Sequence, residues 1–296
     1  MTNLSPICRI DSLSSFYDFR ATVDVLRLDL LHPVVSGNKW FKLKHHLANA
    51  NRKVILTFGG AYSNHIVATA AVAQQQGLQC VGVIRGEEPA VYSPTLTQAK
   101  GFCMNLFFTS RAAYKSKIIP PDVYRQYSAK ELYIVPEGGY GWQGVQGAKD
   151  ILLLHDTQKY THVICAVGTG TTLAGLTAAA VAHQHVIGVP VLKNNFSICD
   201  AINDLLPAEK RHRFQLVHNY HFGGYARYNQ ELIKFMNNFF EKTGIPTDFV
   251  YTAKAFYAAF ELLKNGAFSD TDKILLVHTG GLQGNCSLPN GTLIFG

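Results

Sequence analysis

The chain is organised around the stretch SGNKWFKLK, which occupies residues 36–44. Gly37 allows backbone conformations that other residues resist, and the polar Asn38 suits the entry of a helix. We therefore predict a tight turn that leads into a helix at residues 39–50. At the start of this helix, the helix dipole and a neighbouring cation favour a lowered pKa for Lys39. A neutral lysine amine can form a Schiff base with an aldehyde, although a solvated basic helix end would have the same sequence pattern.

The composition predicts a large folded core. The chain has 296 residues, of which 47% are hydrophobic and 16% are charged, and these values argue against disorder. The formal net charge of +7 suits either a nucleic acid or a small anionic ligand as partner. Because the basic residues are scattered and form no arginine-rich run, we expect no nucleic-acid partner.

The cysteines and the N-terminus indicate the compartment. None of the six cysteines belongs to a CxxC pair, and most have apolar neighbours, so we expect buried thiols in a reducing compartment and no bound metal. The first residues lack the charged and apolar pattern of a signal peptide, and no apolar run approaches a membrane span. The sequence therefore predicts a soluble, cytoplasmic protein without a membrane partner.

Strand and helix patterns alternate along the chain. A short apolar strand at residues 53–58 ends at Gly59-Gly60, a helix follows at residues 63–76, and another strand follows at residues 80–84. This order is typical of a parallel sheet with crossover helices, so we predict an α/β fold. Gly77 is suited to end the helix. Further strands are expected at residues 22–31, 105–109, 131–135, 161–167, 186–191 and 273–278, and further helices at residues 93–100, 144–153, 173–182 and 256–263.

Two glycine-containing turns lie where a strand passes into a helix. The loop GTGTT at residues 168–172 would present backbone N–H groups and hydroxyls to an anion at a helix N-terminus. It lacks a P-loop lysine and the GxGxxG spacing, which disfavours a nucleotide-binding oxidoreductase. The turn GGAYSNH at residues 59–65 places Ser63 and Asn64 at a helix start, and Ser63 suits an N-cap. Each turn alone is also compatible with an ordinary strand-to-helix connection.

Together with Tyr251 and the sequence HTGG at residues 278–281, these motifs occur in a familiar order. The chain resembles the pyridoxal-phosphate enzymes of the tryptophan-synthase β fold, also called fold type II. More closely, it is similar to the family of aminocyclopropane-carboxylate deaminases and D-cysteine desulfhydrases, over about residues 22–284. The resemblance implies a PLP-dependent lyase or deaminase that acts on a small amino acid as a homodimer.

The same resemblance implies two lobes with parallel sheets and the cofactor, pyridoxal 5′-phosphate, between them. The small lobe would be inserted at residues 50–140. The large lobe would comprise residues 1–49 and 141–296.

The resemblance also implies roles for individual residues. Lys39 would hold the cofactor as an internal Schiff base and later remove the substrate α-proton. Ser63 would bind the substrate carboxylate, and Asn64 would hydrogen-bond the phenolic oxygen of the cofactor ring. Tyr225 and Tyr251 would flank the substrate. The phosphate would be held by Gly168, Thr169, Gly170, Thr171 and Thr172.

Two departures from the deaminase pattern guide the choice of substrate. The cyclopropane deaminases carry a glutamate after the tyrosine equivalent to Tyr251 and a leucine before the final Gly-Gly, whereas this chain has Thr252 and Thr279. A hydroxyl beside the pyridine nitrogen leaves the ring neutral and a weaker electron sink, which suits elimination of a good leaving group better than ring opening. We therefore predict D-cysteine desulfhydrase activity, which gives pyruvate, ammonia and sulfide. The alternatives are 1-aminocyclopropane-1-carboxylate deamination and a homologue that binds the cofactor without catalysis.

Several polar residues permit two interpretations. His65, His221 and His278 are either acid–base groups or structural residues. Tyr62 either lines the pocket or packs against the protein. Glu137 either faces the cofactor or is solvated.

Overall fold

The computed structural model describes residues 8–51 and 53–295. Strands and helices alternate through most of this range, as the sequence predicts. The strands are β1 (Ile10–Ser12), β2 (Thr22–Arg27), β3 (Val54–Gly59), β4 (Cys80–Arg85), β5 (Met104–Thr109), β6 (Leu132–Val135), β7 (His162–Val167), β8 (His185–Pro190), β9 (Phe214–Leu216) and β10 (Lys273–His278). The helices are α1 (Asn38–Asn49), α2 (Asn64–Gln75), α3 (Pro94–Gly101), α4 (Arg111–Lys115), α5 (Pro121–Gln126), α6 (Trp142–Lys149), α7 (Thr171–Ala179), α8 (Ile198–Asn203), α9 (Gln230–Thr243) and α10 (Thr252–Lys264). Short 3-10 helices occupy Leu28–Leu30, Glu137–Gly139, Asp150–Leu153, Ala208–Lys210, His218–Tyr220 and Gln283–Ser287.

The described strands form two sheets. The larger has the order β1-β2-β10-β7-β8-β9, and the smaller has the order β5-β4-β3-β6. Among these strands the pairing is parallel throughout, except for the antiparallel pair of β1 and β2. The predicted α/β class with parallel sheets is therefore confirmed. The smaller sheet lies within the predicted small lobe at residues 50–140, but the lobe boundaries themselves stay a prediction.

Helix α1 packs against the hydrophobic cores of both sheets. Leu43 and Leu47 belong to the core that includes Ile55 of the smaller sheet, whereas Phe41 belongs to the core that includes Val163 of the larger sheet. The side chains of a helix point in all directions around its axis, so one helix can bury different faces against two partners. The helix that carries Lys39 is therefore held from two sides.

The central strands are buried along nearly their whole length. In β7 and β10, five of the six residues of each strand are buried, and such continuous apolar runs are typical of parallel strands covered on both faces. Helix α7 begins at Thr171, two residues earlier than predicted, and Gly77 ends α2 with a φ of +66° as expected. The expected strand at residues 22–31 is wrong beyond Arg27, where a 3-10 helix replaces it.

The six cysteines are free thiols, but they are less uniformly buried than the sequence predicts. Cys80 and Cys165 are buried, whereas Cys103 and Cys286 are exposed. Among the residues that the structure describes, no helix combines the length and the apolar character that a membrane crossing requires.

Candidate active site

A cavity of about 470 Å³ lies where strands of both sheets end. Gly60, Gly168 and Thr279 line it, and they closely follow the carboxyl ends of β3, β7 and β10. In open α/β sheets, ligands bind in the crevice at the carboxyl ends of the strands. The cavity is therefore the candidate active site.

The cavity brings the predicted site residues together. The following predicted residues line it: Lys39, Ser63, Asn64, Gly168, Thr169, Gly170, Thr172, Tyr225, Tyr251 and Thr279. Thr171 is instead fully buried and does not line the cavity, and its hydroxyl oxygen lies 3.2 Å from that of Thr169. Proximity alone does not assign a role, so the individual functions of these residues stay predictions.

Gly37 allows α1 to begin directly beside the end of β10. Its φ is +65°, and an added Cβ would lie 1.7 Å from the carbonyl oxygen of Thr279. That carbonyl also accepts a hydrogen bond of 3.0 Å from the backbone N–H of Asn38. A residue with a side chain would meet both a strained backbone and a clash, so the glycine sets where Lys39 enters the cavity.

Lys39 lies in the cavity with a single hydrogen-bond partner among the described side chains. Its Nζ donates to Oδ1 of Asn38 at 2.8 Å, and Nδ2 of Asn38 donates to the hydroxyl of Thr172 at 2.8 Å. Burial lowers the pKa of Lys39 to about 8, against the opposing charge of Asp248. The predicted direction is correct, but burial rather than a neighbouring cation is the main cause. A sizeable fraction of the amine is therefore neutral near pH 8.

The loop between β7 and α7 presents an open helix N-terminus to the cavity. Gly170 is the N-cap of α7, with a φ of +84°, and no described side chain caps the helix there. Its conformation and its neighbours both require glycine, because an added Cβ would lie 2.6 Å from Cγ1 of Ile202. Free N–H groups and the positive end of the helix dipole favour an anion at this position.

Lys42 is a cavity residue to which sequence reasoning gave no binding role. It is 3% exposed and lines the cavity, one helical turn after Lys39. Burial and the charge of Lys39 hold its pKa well below the ordinary value. The signal for it is the i, i+3 spacing, which puts both lysines on one face of α1. A second amine on this face is suited to a phosphate dianion, whose charge would favour the ammonium form.

The turn after β3 supplies polar groups from the smaller sheet. Ser63 is the N-cap of α2 and accepts a hydrogen bond from the backbone N–H of Ile66, as expected. Nδ2 of Asn64 donates to the carbonyl oxygen of Gly281 at 3.0 Å, and its buried Oδ1 has no hydrogen-bond partner among the described residues. Arg85, which sequence reasoning missed, also lines this side. The asparagine therefore keeps one N–H and one oxygen for a ligand.

Tyr225 and Tyr251 lie edge to face in the cavity wall. Their ring centroids are 6.0 Å apart, with an angle of 71° between the ring planes. Burial, and then the neighbouring Tyr225, raise the pKa of Tyr251 well above its ordinary value. Both phenols are thus protonated at neutral pH and can donate hydrogen bonds to a substrate.

The two threonines that were expected to face the cofactor ring have different environments. Thr279 lines the cavity. Thr252 is the first residue of α10 and is buried, and its hydroxyl donates to Oδ1 of Asp248 at 2.8 Å while accepting from the backbone N–H of Asp248 at 2.8 Å. The expectation that Thr252 reaches the ring is therefore wrong, because its hydroxyl is occupied in the capping arrangement at the start of α10.

The histidines separate into one cavity residue and two structural residues. His65 lines the cavity, and burial holds its pKa well below the ordinary value, so it is neutral. His278 is fully buried beside Asp29 and bonds the carbonyl oxygen of Pro246 at 2.7 Å. His221 accepts a hydrogen bond from its own loop at Gly223. The structural interpretation therefore holds for His221 and His278.

Glu137 and Tyr62 also line the cavity. Glu137 accepts a hydrogen bond of 2.7 Å from the hydroxyl of Tyr114 and forms an ion pair with Lys117. Tyr62 is 39% exposed. The glutamate therefore faces the cavity, but its charge is already compensated.

The cavity fits pyridoxal phosphate on the groups it presents. An amine with a lowered pKa suits an aldehyde, an uncapped helix N-terminus suits a phosphate, and the remaining N–H of Asn64 suits a ring oxygen. These groups come from separate elements of the chain and meet in one cavity.

Comparisons with known proteins agree with this fit. The family model described as "Pyridoxal-phosphate dependent enzyme" matches residues 4–280. A "Putative 1-aminocyclopropane-1-carboxylate deaminase" from Thermotoga maritima is 30% identical over 301 residues, covering 95% of this chain and 94% of the relative. A "D-cysteine desulfhydrase" from Salmonella typhi is 27% identical over 304 residues, covering 92% of this chain and 90% of the relative.

Among solved structures, an ACC deaminase homologue superposes with a TM-score of 0.80 at 27% identity, covering 94% of this chain and 90% of the other. The predicted fold, the predicted cofactor and the prediction of an enzyme are thereby confirmed. The chain belongs to the family of pyridoxal-phosphate dependent enzymes, and its relatives include aminocyclopropane-carboxylate deaminases and D-cysteine desulfhydrases.

Proposed function

We propose that this enzyme is a D-cysteine desulfhydrase, which converts D-cysteine and water to pyruvate, ammonia and sulfide. The observation that carries the proposal is the neutral hydroxyl of Thr279 in the cavity wall at the end of β10. Among the described residues, Glu137 is the only acid that lines the cavity, and it is already paired with Lys117 and Tyr114. No free carboxylate of the described chain is therefore available to keep a pyridine nitrogen protonated.

The proposed binding mode uses residues from both sheets. Lys39 would hold the cofactor covalently, and Lys42 together with the loop at residues 168–172 would bind its phosphate. Asn64 would bind the ring oxygen, and Thr279 would lie beside the ring nitrogen. Bound pyridoxal phosphate supplies an electron-withdrawing ring that stabilises negative charge at the substrate α-carbon.

The chain's own residues would then bind the substrate and move its protons. Ser63 would hydrogen-bond the substrate carboxylate, and the rings of Tyr225 and Tyr251 would hold the amino acid in place. The Lys39 amine, released from its bond to the cofactor when the substrate amine takes its place, would accept the proton from the α-carbon, because it is neutral in part near pH 8. The bond between the β-carbon and sulfur then breaks and sulfide leaves. Water hydrolyses the released aminoacrylate to pyruvate and ammonia.

The choice between elimination and ring opening rests on the demand for an electron sink. A hydroxyl beside the pyridine nitrogen stabilises the protonated ring less than a carboxylate does. Sulfide is a good leaving group, so its elimination proceeds with the weaker electron sink. The cyclopropane acid has no α-proton to remove, so opening of its ring needs the stronger electron sink. This reasoning favours D-cysteine over the cyclopropane acid, although several relatives carry the deaminase name.

A substrate panel tests the proposed function directly. The purified enzyme, loaded with pyridoxal phosphate, is incubated with D-cysteine, L-cysteine, D-serine or the cyclopropane acid, and sulfide and 2-oxo acids are measured. We expect sulfide and pyruvate from D-cysteine as the fastest reaction. Faster release of ammonia and 2-oxobutyrate from the cyclopropane acid would instead establish the deaminase. A cofactor spectrum that responds to no amino acid would indicate a homologue without catalysis.

A pair of variants at one position tests the electronic reason. Thr279→Asp offers a carboxylate of similar size, and Thr279→Val removes only the hydroxyl. We expect the aspartate variant to raise the ratio of ring opening to sulfide release, and the valine variant to leave ring opening at the parent level or below. If the two variants shift the ratio equally, the shape of the pocket rather than the ring partner sets the substrate.

We also propose a homodimer, on the resemblance alone. Sedimentation of the loaded enzyme measures its mass directly, and a mass near the 32.7 kDa of one chain would contradict a stable dimer.

A further inference from the structure

Lys254 is a fully buried lysine outside the cavity. It lies in the first turn of α10 and is 0% exposed. Its Nζ donates to the carbonyl oxygen of His221 at 2.9 Å and to that of Gly224 at 2.7 Å. Among the described residues, no carboxylate forms an ion pair with it within 4.0 Å. A buried amine without an acid is costly, so its two backbone contacts need an explanation.

The contacted loop, residues 221–227, has an unusual backbone. Gly223 and Gly224 have φ values of +90° and +114°, and Phe222 and Ala226 have values of +51° and +53°. L-residues with a side chain adopt the left-handed region rarely. A loop with this many positive φ values needs contacts from outside to keep one conformation.

The two carbonyl groups that Lys254 binds are also the acceptors of the loop's own turns. The backbone N–H of Gly224 donates to His221 at 3.0 Å, and the backbone N–H of Arg227 donates to Gly224 at 3.1 Å. Each carbonyl oxygen therefore accepts one bond from the loop and one from Lys254, as its two lone pairs allow. The lysine thus connects two successive turns to the start of α10.

This connection links the two tyrosines of the cavity wall. Tyr225 directly follows Gly224 in the loop, and Tyr251 directly precedes α10. The rings meet edge to face with centroids 6.0 Å apart. The position of one ring relative to the other therefore depends on how the loop is attached to α10, and Lys254 provides two hydrogen bonds of that attachment.

We propose that Lys254 is a positioning residue, which fixes the loop at residues 221–227 so that Tyr225 is held against Tyr251 on the substrate side of the cavity. It acts through Tyr225 and touches neither cofactor nor substrate. The kinetic part of its test rests on the proposed elimination activity, whereas the exchange part does not.

Amide hydrogen exchange tests the loop without any substrate. Lys254→Met keeps an unbranched side chain of similar length and removes the donors, and Lys264→Met on the exposed end of the same helix is the matched control. In the cofactor-loaded enzyme, we expect the amides of Gly224 and Arg227 to exchange about tenfold faster in Lys254→Met and unchanged in the control. Unchanged exchange of both amides in Lys254→Met, with the amides of β10 still protected, would overturn the proposal.

A double-mutant cycle with Tyr225→Ala, which removes the ring, tests the catalytic consequence. We expect Lys254→Met to lower kcat with D-cysteine about tenfold, but less than about twofold when Tyr225 is already alanine. The affinity for pyridoxal phosphate should be the same in all four proteins, because Lys39 and the loop at residues 168–172 are untouched. If the fold-changes in kcat of the two single variants multiply in the double variant, Lys254 has only a general packing role and the proposal is refuted.

Two further results have defined meanings. If Lys254→Met does not fold, Lys254→Gln replaces it, because the amide keeps a donor for one of the two carbonyl groups, and an intermediate exchange rate is expected. Parent-like exchange in Lys254→Gln would then contradict the proposal. If the parent enzyme eliminates sulfide from no amino acid, the proposed function fails, and the exchange experiment still decides the role of Lys254.

Discussion

Lys39 and Lys254 are two lysines whose pKa is lowered by burial, but their surroundings differ. Each lies within the first turn of a helix, and burial lowers the pKa of each to about 8. Lys39 donates to one neighbouring side chain, that of Asn38, and lines the cavity. Lys254 donates to two backbone carbonyl groups and is closed off by protein.

A lowered pKa alone therefore does not distinguish a lysine that can meet a ligand from one that cannot. Desolvation shifts both amines in the same direction. What separates them is access and hydrogen bonding, since Lys39 has donors left for a ligand and space in front of it. The predictions below test that difference, and each adds to the experiments on Thr279 and Lys254 already described.

The largest effect is expected at Lys39. Lys39→Ala should lower the rate of sulfide release from D-cysteine by about 100- to 10,000-fold, because the proposed proton acceptor is lost. The absorbance band of the covalently held cofactor should also disappear. Both are measured on the purified variant with pyridoxal phosphate in excess.

Lys42→Met is the matched control for this experiment, one turn further along α1. It should retain the covalent band and weaken only cofactor affinity. Borohydride reduction followed by peptide mapping should label Lys39 in the parent protein. A label on Lys254 or Lys42 would contradict the assignment of Lys39 as the lysine that binds the cofactor covalently.

The next largest effect is expected at the loop of residues 168–172, which is proposed to bind the phosphate. Within the described part of the chain, no such loop lies near Lys254. Thr169→Val removes a cavity hydroxyl, and charge-assisted hydrogen bonds contribute about 1.5–3 kcal/mol. Affinity for pyridoxal phosphate should therefore fall about tenfold or more in an equilibrium titration. Thr177→Val, in the helix that follows this loop and outside the cavity lining, should leave the affinity unchanged. Equal affinities of the parent and both valine variants would show that the phosphate binds at another place.

The pH dependence of cofactor capture measures the pKa of Lys39 itself. With a folded pKa of about 8, the neutral fraction rises about tenfold between pH 7 and 9 and then levels. The rate of covalent capture by the cofactor-free protein should follow this curve, and it is compared with the rate for a free lysine derivative that reacts with the same aldehyde. That derivative keeps its ordinary pKa of about 10.4, so its neutral fraction rises throughout this range. A capture rate that rises in parallel with the free amine would show an unshifted Lys39.

The smallest effect on chemistry is expected at Thr252, two residues before Lys254. Thr252→Val removes two hydrogen bonds with Asp248 at the start of α10, and the loss of such a cap lowers stability by about 1–2 kcal/mol. The ratio of ring opening to sulfide release should stay at the parent value. Denaturant unfolding and the substrate panel measure the two quantities, and a changed ratio would restore Thr252 as a ring partner.

Local patterns in the sequence predicted most of the fold and several of the residues that line the cavity. Apolar runs identified most of the parallel strands, because a strand covered on both faces must be apolar along its length. Glycines before helices marked the turns, since Gly37 and Gly170 directly precede α1 and α7 and adopt positive φ where other residues are strained. Lys39 and the loop at residues 168–172 could be found because their chemistry depends on residues adjacent in sequence.

Only the tertiary structure decided which polar groups face the cavity. Thr252 and Thr279 are equivalent hydroxyls in the sequence, but one is bonded to Asp248 and the other lines the cavity. Lys254 binds carbonyl groups at His221 and Gly224, about thirty positions earlier in the chain. The physical reason is that a local pattern fixes the backbone conformation of an element, whereas the surroundings of each side chain depend on which distant elements pack against it.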